Sequence, residues 1–110
     1  MQRRSPSTAS DPVLAVMRER VLQAHVERLL RMCGWRYYHT HDSRRSVAGF
    51  PDLVALRAER LVVVELKSAR GKLTAEQDAW LAAFQRLGAE VYVWRPSDLE
   101  VAARVLGPGA

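Results

Sequence analysis

The stretch LVVVELK at residues 61–67 restricts the fold more than any other part of the chain. Side chains alternate across a β-strand, so Glu65 and Lys67 share one face with Leu61 and Val63, while the opposite face is wholly apolar. A strand this apolar is normally buried on both sides by helices that pack against the sheet. The stretch therefore predicts an α/β fold with one carboxylate and one ammonium inside an otherwise apolar strand.

Charged groups in such a strand are costly unless they pair with each other, bind a metal or reach a cleft. Glu65 and Lys67 alone are explained by an ion pair at the end of the sheet, since E-x-K is short and occurs by chance. Asp52 favours a reactive site instead, because it begins a second apolar strand at residues 52–56. Its own alternative is a carboxylate that serves only a turn or a cap.

The four residues 57–60 separate the two strands, which is short enough for a hairpin. Such a hairpin places Asp52 beside Glu65 or Lys67. Two carboxylates and a lysine at one strand end form a hard-oxygen site suited to Mg²⁺ or Mn²⁺.

The rest of the chain predicts helices that cover this hairpin. Asp11 and Pro12 are typical of a helix start and Gly34 of a helix end, so one helix is expected from Pro12 to Cys33. Its apolar stripe consists of Leu22, Val26, Leu29, Leu30 and Cys33. The other predicted elements are a strand at 35–39, a loop at 40–49, a helix from Thr74 to Leu87 with Gln77 in a capping box, a strand at 90–94, and a short helix opened by Ser97 with Glu100. The expected order is α-β-β-β-α-β-α.

The charge balance favours a nucleic acid as the partner. Lys and Arg number 17 against 12 Asp and Glu, and all of these cations except Lys67 and Lys72 are arginines. Arginine binds phosphate in a bidentate way, although a GC-rich genome also enriches it. No apolar run approaches the roughly 20 residues of a membrane span. A lone Cys33 fits a reducing compartment, so we expect a cytoplasmic protein with a disordered tail at residues 1–11, one domain at 12–106 and a short tail at 107–110.

The motif Gly49-Phe50-Pro51-Asp52 followed by Glu65-Leu66-Lys67 resembles the G-x-P-D…E-x-K signature of the PD-(D/E)XK nuclease superfamily. More narrowly, the chain looks like the VRR-NUC branch, because Lys72–Gln77 is similar to the Gln-bearing helix start of that branch and Gly88–Trp94 to its last strand. The likeness spans residues 15–105. It implies a restriction-endonuclease-like core, a mixed sheet flanked by helices.

The resemblance also implies roles for individual residues. Asp52 and Glu65 would hold Mg²⁺ or Mn²⁺ together with the Leu66 carbonyl, and Lys67 would orient water or pair with phosphate. A metal-site glutamate of the first helix would be Glu19, which a helical wheel places at the border of the buried face, whereas Glu27 points away. Gln77 would lie beside the metal, unless its amide serves only the capping box with Thr74.

Substrate binding is expected from the two loops that flank the site, which carry Arg44 and Arg45 before the first motif and Arg70 and Lys72 after E-x-K. Their alternative is an ordinary solvated surface. Stand-alone members of the branch resemble Holliday-junction resolvases that act as homodimers on four-way DNA junctions, so that activity is the first hypothesis. The others are a nuclease for flapped, nicked or single-stranded DNA, and a DNA-binding module of the same fold without catalysis.

Overall fold

The computed structural model describes residues 12–41 and 46–108. Its helices are α1 (Pro12–Val16), α2 (Glu19–Met32), α3 (Ala75–Arg86) and α4 (Leu99–Leu106), and its strands are β1 (Arg36–His39), β2 (Leu53–Arg57), β3 (Arg60–Leu66) and β4 (Glu90–Trp94). A 3₁₀ turn at Pro96–Asp98 precedes α4. The expected tail at residues 1–11, the N-cap Asp11, and the loop arginines Arg44 and Arg45 lie outside the described residues.

The four strands form one mixed sheet in the order β1-β2-β3-β4. β1, β2 and β3 are antiparallel neighbours, whereas β4 runs parallel to β3 after the α3 crossover. The predicted hairpin is confirmed: Arg57 pairs with Arg60, which leaves Ala58 and Glu59 as a two-residue turn. The predicted α/β class with a mixed, helix-flanked sheet is therefore confirmed, and the arrangement is that of a restriction-endonuclease-like core.

The two faces of β3 divide as the alternation predicts. Val62, Val64 and Leu66 join the larger core, which α2 and α4 cover. Val63 lies on the opposite face, in a smaller core formed with α3. The stripe predicted for the first long helix is also confirmed, since Leu22, Val26 and Leu30 are fully buried and its other members pack against the same core. β3 is thus an inner strand covered on both faces, and the candidate site lies at its Glu65 end.

The first helix is interrupted, contrary to the single helix expected from Pro12 to Cys33. Arg18 has an extended backbone and becomes the N-cap of α2, accepting hydrogen bonds from the Val21 and Leu22 N–H groups. Neither Gly nor Pro marks this break. Met17 instead packs on the larger core and α1 contacts the 3₁₀ turn, so tertiary packing overrides the local helical preference.

The start of the last helix also differs from the prediction of a Ser97–Glu100 capping box. The Arg95 N–H donates to Asp98 Oδ2 at 2.9 Å, and the Asp98 N–H donates to the Arg95 carbonyl at 2.8 Å. This reciprocal pair of hydrogen bonds closes a 3₁₀ turn that begins at Arg95, two residues before the predicted cap at Ser97. Pro96 favours this turn because its φ is fixed. α4 accordingly begins at Leu99.

Candidate active site

Asp52 and Glu65 lie opposite each other where β2 begins and β3 ends. Leu53 pairs with Val64, so the next position along each strand sets Asp52 across from Glu65. Asp52 Oδ2 accepts a hydrogen bond of 2.7 Å from the Leu66 N–H. Of the two neighbours that the hairpin allowed for Asp52, the register therefore selects Glu65.

The turn before Asp52 is held against the start of α3 by a close approach that requires glycine. Gly49 has φ +80°, a backbone conformation that residues other than glycine rarely adopt. A Cβ atom at this position would lie 2.5 Å from the Glu76 carbonyl carbon and 2.7 Å from the Gln77 nitrogen. The backbone of the Asp52 turn and the first turn of α3 are consequently in direct contact.

Aromatic packing fixes the same turn. The Phe50 ring meets the Trp80 and Phe84 rings of α3 edge to face, with centroid distances of 5.0 and 6.1 Å. On the other side, Thr40 donates from its N–H to the Asp52 carbonyl and from its hydroxyl to the Pro51 carbonyl. Asp52 is therefore anchored from both α3 and β1, which limits the movement of its carboxylate.

Glu65 and Lys67 are buried although both are ionisable. Their side chains are 2% and 9% exposed, and Lys67 Nζ lies 3.9 Å from Glu65 Oε2. Glu65 Oε1 has no hydrogen-bond partner in the described part of the chain. Burial first, and then the charge and hydrogen bond of Asp52, raise the pKa of Glu65 to about 8, although the Lys67 ammonium opposes the rise.

Glu19 and Glu27 occupy different surroundings from those that the helical wheel predicts. Glu19 is exposed, whereas Glu27 is half-buried and accepts hydrogen bonds from Gln23 Nε2 and the Tyr37 hydroxyl. Burial opposes the effect, but these two bonds lower the pKa of Glu27. The wheel is wrong about exposure because β1 packs beside α2 and covers Glu27. Glu19 nevertheless lies near enough for its charge to help raise the pKa of Glu65.

Gln77 forms the predicted capping box at the start of α3. Its N–H donates to Thr74 Oγ1 at 3.1 Å, and its Oε1 accepts from the Thr74 N–H at 2.9 Å. The side-chain oxygen is therefore committed to the helix cap. Only the Nε2 amino group remains to donate toward the neighbouring Asp52 turn or a substrate.

The loop after Lys67 is shaped by Arg95, a residue for which the sequence gives no functional signal beyond its place at the end of β4. Arg95 Nη1 donates to the Ser68 carbonyl at 2.8 Å and to the Gly71 carbonyl at 2.6 Å. A Cβ atom at Gly71 would lie 3.4 Å from Lys67 Cδ, so the loop packs along the lysine stem. Arg70 and Lys72, the predicted DNA contacts, are exposed on this loop.

The donor set at this end of the sheet suits a Mg²⁺-like ion. Glu65 Oε1 has no hydrogen-bond partner in the described residues, and ionised Glu65 would place a second negative charge beside Asp52, which a divalent cation would neutralise. Within residues 12–41 and 46–108, no three His, Cys, Asp or Glu side chains come together as a metal cage. Mg²⁺ does not need one, because it commonly binds one or two carboxylates and keeps several waters.

The comparison with protein families agrees with this geometry. The model of the VRR-NUC domain matches residues 4–98. The chain belongs to the VRR-NUC family. No curated protein and no solved structure gives a significant match.

A VRR-NUC domain is a nuclease-type domain, so this chain is classed as a hydrolase with a nucleic acid as its substrate. Nuclease domains of this family are generally metal-dependent, in keeping with the crowded carboxylates at the end of β3. In the described ranges, no helix of the VRR-NUC domain has the length and apolar character to cross a membrane.

Proposed function

We propose that this VRR-NUC domain is a metal-dependent, structure-selective DNA endonuclease that resolves four-way junctions as a homodimer in the cytoplasm. The observation that carries the proposal is the grouping of Asp52, Glu65 and Lys67 at one end of the sheet, with a buried Glu65 oxygen that lacks a partner. A buried oxygen without a hydrogen-bond partner lowers stability, and a bound metal ion would supply the missing partner.

The residues that would hold Mg²⁺ or Mn²⁺ are Asp52, Glu65 and the Leu66 carbonyl, with Glu19 acting through its charge or through water. An ion held there supplies Lewis acidity, which lowers the pKa of water and polarises the phosphodiester. Glu65 would hold such an ion in its ionised form, because a coordinating carboxylate must lose its proton.

Lys67 acts on the substrate as a fixed positive charge. Its stem is buried along the Gly71 loop, so the ammonium has little freedom to leave the Glu65 carboxylate. From this position it orients the attacking water or neutralises charge that develops on the phosphate. The Gln77 amino group is a second donor for the same purpose, since its oxygen is occupied by the helix cap.

Recognition of DNA shape, with selectivity for branched DNA, is supported by the chemistry of the site's surroundings. Arg70 and Lys72 offer phosphate contacts on the loop after Lys67, and Arg44 and Arg45, which precede the Gly49–Asp52 motif in the sequence, are proposed to do the same. Phosphate contacts fix position but read no sequence, so selectivity comes from the form of the DNA. Two equivalent strands of a junction are matched by two equivalent sites, which a C₂ dimer provides.

The second candidate is a nuclease that acts on flapped, nicked or single-stranded DNA, and the third is a DNA-binding module without catalysis. The intact Asp52, Glu65 and Lys67 oppose the third. The second uses the same chemistry and differs from the junction activity only in the preferred substrate.

The test is cleavage of labelled four-way junction, flap, linear duplex and single-stranded DNA in Mg²⁺, Mn²⁺ or EDTA. Asp52→Asn is the informative variant, because it keeps the shape of the side chain and removes its charge. Asp78→Asn is the matched control, since Asp78 is exposed on α3. Light scattering of the protein on junction DNA measures the number of copies bound.

Paired symmetric cuts in the junction, abolished by EDTA and by Asp52→Asn but not by Asp78→Asn, support the full proposal. Metal-dependent cleavage without preference for junctions rejects the resolvase function and retains the nuclease. DNA binding without cleavage in any metal rejects the enzyme. A single copy of the protein bound to a four-way junction contradicts the homodimer.

A further inference from the structure

Half of the sheet face that carries the proposed active site is not covered by any helix of the described residues. α3 packs on β3 and β4, so the same face of β1 and β2 stays open. We call this half the open sheet face; its side chains are Arg36, Tyr38, Val54 and Leu56. Asp52 directly precedes β2, two positions before Val54, and continues the face toward Glu65.

Tyr38 is the most prominent side chain on the open sheet face. It is 59% exposed, and its ring meets the His41 ring edge to face with a centroid distance of 6.3 Å. The other tyrosines serve the fold, since the Tyr37 hydroxyl donates to Glu27 and the Tyr92 hydroxyl donates to Glu90. Tyr38 contributes to neither core, so its exposure is not explained by packing.

The sheet register places Tyr38 next to the active site. Tyr38 pairs with Val54, and two pairs further on the Thr40 N–H donates to the Asp52 carbonyl. Tyr38 and Asp52 are therefore diagonal neighbours on adjacent strands, at a separation of roughly 7–8 Å that an aromatic side chain bridges. A nucleotide whose phosphate binds at Asp52 and Glu65 has its neighbour within reach of the Tyr38 ring.

We propose that Tyr38 is a stacking platform for one unpaired base beside the scissile phosphate, and that the open sheet face binds the single-stranded DNA segment that carries this base. The inference deepens the proposed nuclease function and rests on it for the position of the phosphate. It adds a specificity-determining residue that discriminates among DNA structures.

Single-stranded DNA is the occupant that this surface fits best. Exposed aromatic rings beside a cationic groove are the usual platform for single strands, because every base has a π-face to stack. Arg36 extends the open sheet face away from the carboxylates and offers a phosphate contact two residues beyond Tyr38. An intact duplex keeps its bases stacked inside, so only a flap, a single strand or a junction with an opened base pair at its branch point presents a free base to Tyr38.

The experiment measures binding in an Asp52→Asn background, where DNA is not cut, and cleavage in the otherwise native protein. Tyr38→Ser removes the ring and Tyr38→Phe retains it. Leu87→Ser is the control, because Leu87 is 87% exposed at the far end of α3 and its loss changes the apolar surface elsewhere. The probe is a single strand with 2-aminopurine placed in turn at each position around the cut, read by fluorescence and by anisotropy.

We expect Tyr38→Ser to weaken binding of single-stranded and branched DNA by about tenfold or more, the loss of one base–aromatic stack, with little change for duplex. Tyr38→Phe should restore binding, and the 2-aminopurine emission should respond to Tyr38 only at a position beside the cut. Unchanged binding by Tyr38→Ser, with cleavage still abolished by Asp52→Asn, overturns this inference and leaves the proposed nuclease standing.

Two further outcomes separate the proposals. Tyr38-dependent stacking by a wild-type protein that cuts nothing in any metal supports the platform and rejects the nuclease. A shift in oligomeric state with Tyr38→Ser, measured by light scattering without DNA, overturns the platform, because the open sheet face is then an interface between copies of the chain.

Discussion

Glu65 combines burial, a neighbouring carboxylate and an oxygen without a partner. Burial, and then the charge and hydrogen bond of Asp52, disfavour its ionised form and raise its pKa to about 8, although the Lys67 ammonium opposes the rise. Burial of Glu65 costs less while its carboxyl group is protonated, and its ionisation destabilises the folded state. At the scale of single residues, binding of the proposed metal and the stability of the protein therefore both depend on whether the Glu65 carboxyl group carries its proton.

The pH dependence of stability follows from that shift. A folded-state pKa above the ordinary value of 4.5 gives a stabilising contribution that is complete at low pH and is lost as the pH rises through about 8. In EDTA we expect the urea midpoint of the native protein to fall more over this range than that of Glu65→Gln. Mg²⁺ at pH 8 should raise the native midpoint and not that of the variant. If the urea midpoints of the two proteins fell equally with pH, the raised pKa would not belong to Glu65.

Gln77 allows its two roles to be separated by one substitution. Glu at this position still accepts the Thr74 N–H and completes the capping box, but it lacks the Nε2 amino group. We expect Gln77→Glu to keep the free energy of unfolding within about 0.5 kcal/mol. Cleavage should fall by about tenfold, since a donor near the phosphate becomes a negative charge. Thr74→Ala, which damages the cap alone, should show the reverse pattern in denaturation and cleavage assays.

At the scale of elements, the site depends on the contact between the Asp52 turn and α3. Gly49 brings the backbone of the turn against the first turn of the helix, and Phe50 anchors the turn on the helix side chains. The sequence motif Gly49–Asp52 thus has a structural reason for its glycine that is independent of chemistry. Movement of α3 would move Asp52 with it.

Alanine substitution of Gly49 tests the contact between the Asp52 turn and α3, and the same substitution of Gly88 is the control. Gly49 and Gly88 both have a left-handed backbone, with φ values of +80° and +93°, but open space surrounds Gly88. Alanine at either position should cost about 1–2 kcal/mol from the backbone alone. Gly49→Ala should lose about 1–3 kcal/mol more from overlap with α3, measured by urea denaturation. Only Gly49→Ala should slow cleavage under conditions where both proteins are folded; equal effects would reject the close approach.

The elements that local patterns control were predictable from the sequence. The alternation in β3, the Thr74 cap and the glycine at the end of α2 depend on residues a few positions apart, so the sequence reveals them. The break at Arg18 and the burial of Glu27 depend on packing between distant segments, and the helical wheel has no information about that packing. For the same reason, the predicted hairpin left both Glu65 and Lys67 as possible neighbours of Asp52, and only the register of the two strands shows that the neighbour is Glu65.

At the scale of the whole molecule, the two ends of the sheet have different compositions. The end opposite Glu65 holds Trp35, whose ring lies 4.5 Å from the Arg57 guanidinium carbon, and the Arg60–Glu90 ion pair at 2.7 Å. Arg57 also donates to the carbonyls that end α2 and α4, namely those of Cys33, Leu106 and Gly107. This end closes the helix termini with hydrogen bonds and positive charge.

Arg57→Gln should therefore destabilise the protein without changing what it cuts. The loss of hydrogen bonds to helix-end carbonyls and of the contact with Trp35 should cost about 2 kcal/mol in urea denaturation. Arg28→Gln is the control, since Arg28 is exposed on α2. Substrate preference and the rate per folded molecule should equal those of the native protein. A changed preference would show that the two ends of the sheet are coupled.

The length of β2 has a consequence for how such a protein diverges. Four residues of β2 separate the arginine that closes the helix ends from the aspartate of the proposed site, and the apolar strand β3 lies beside them. Effects of substitutions that share no neighbours generally add. Lineages can therefore exchange residues around Trp35 to adapt to temperature, and residues around Tyr38 to adapt to new substrates, with neither set of changes constraining the other.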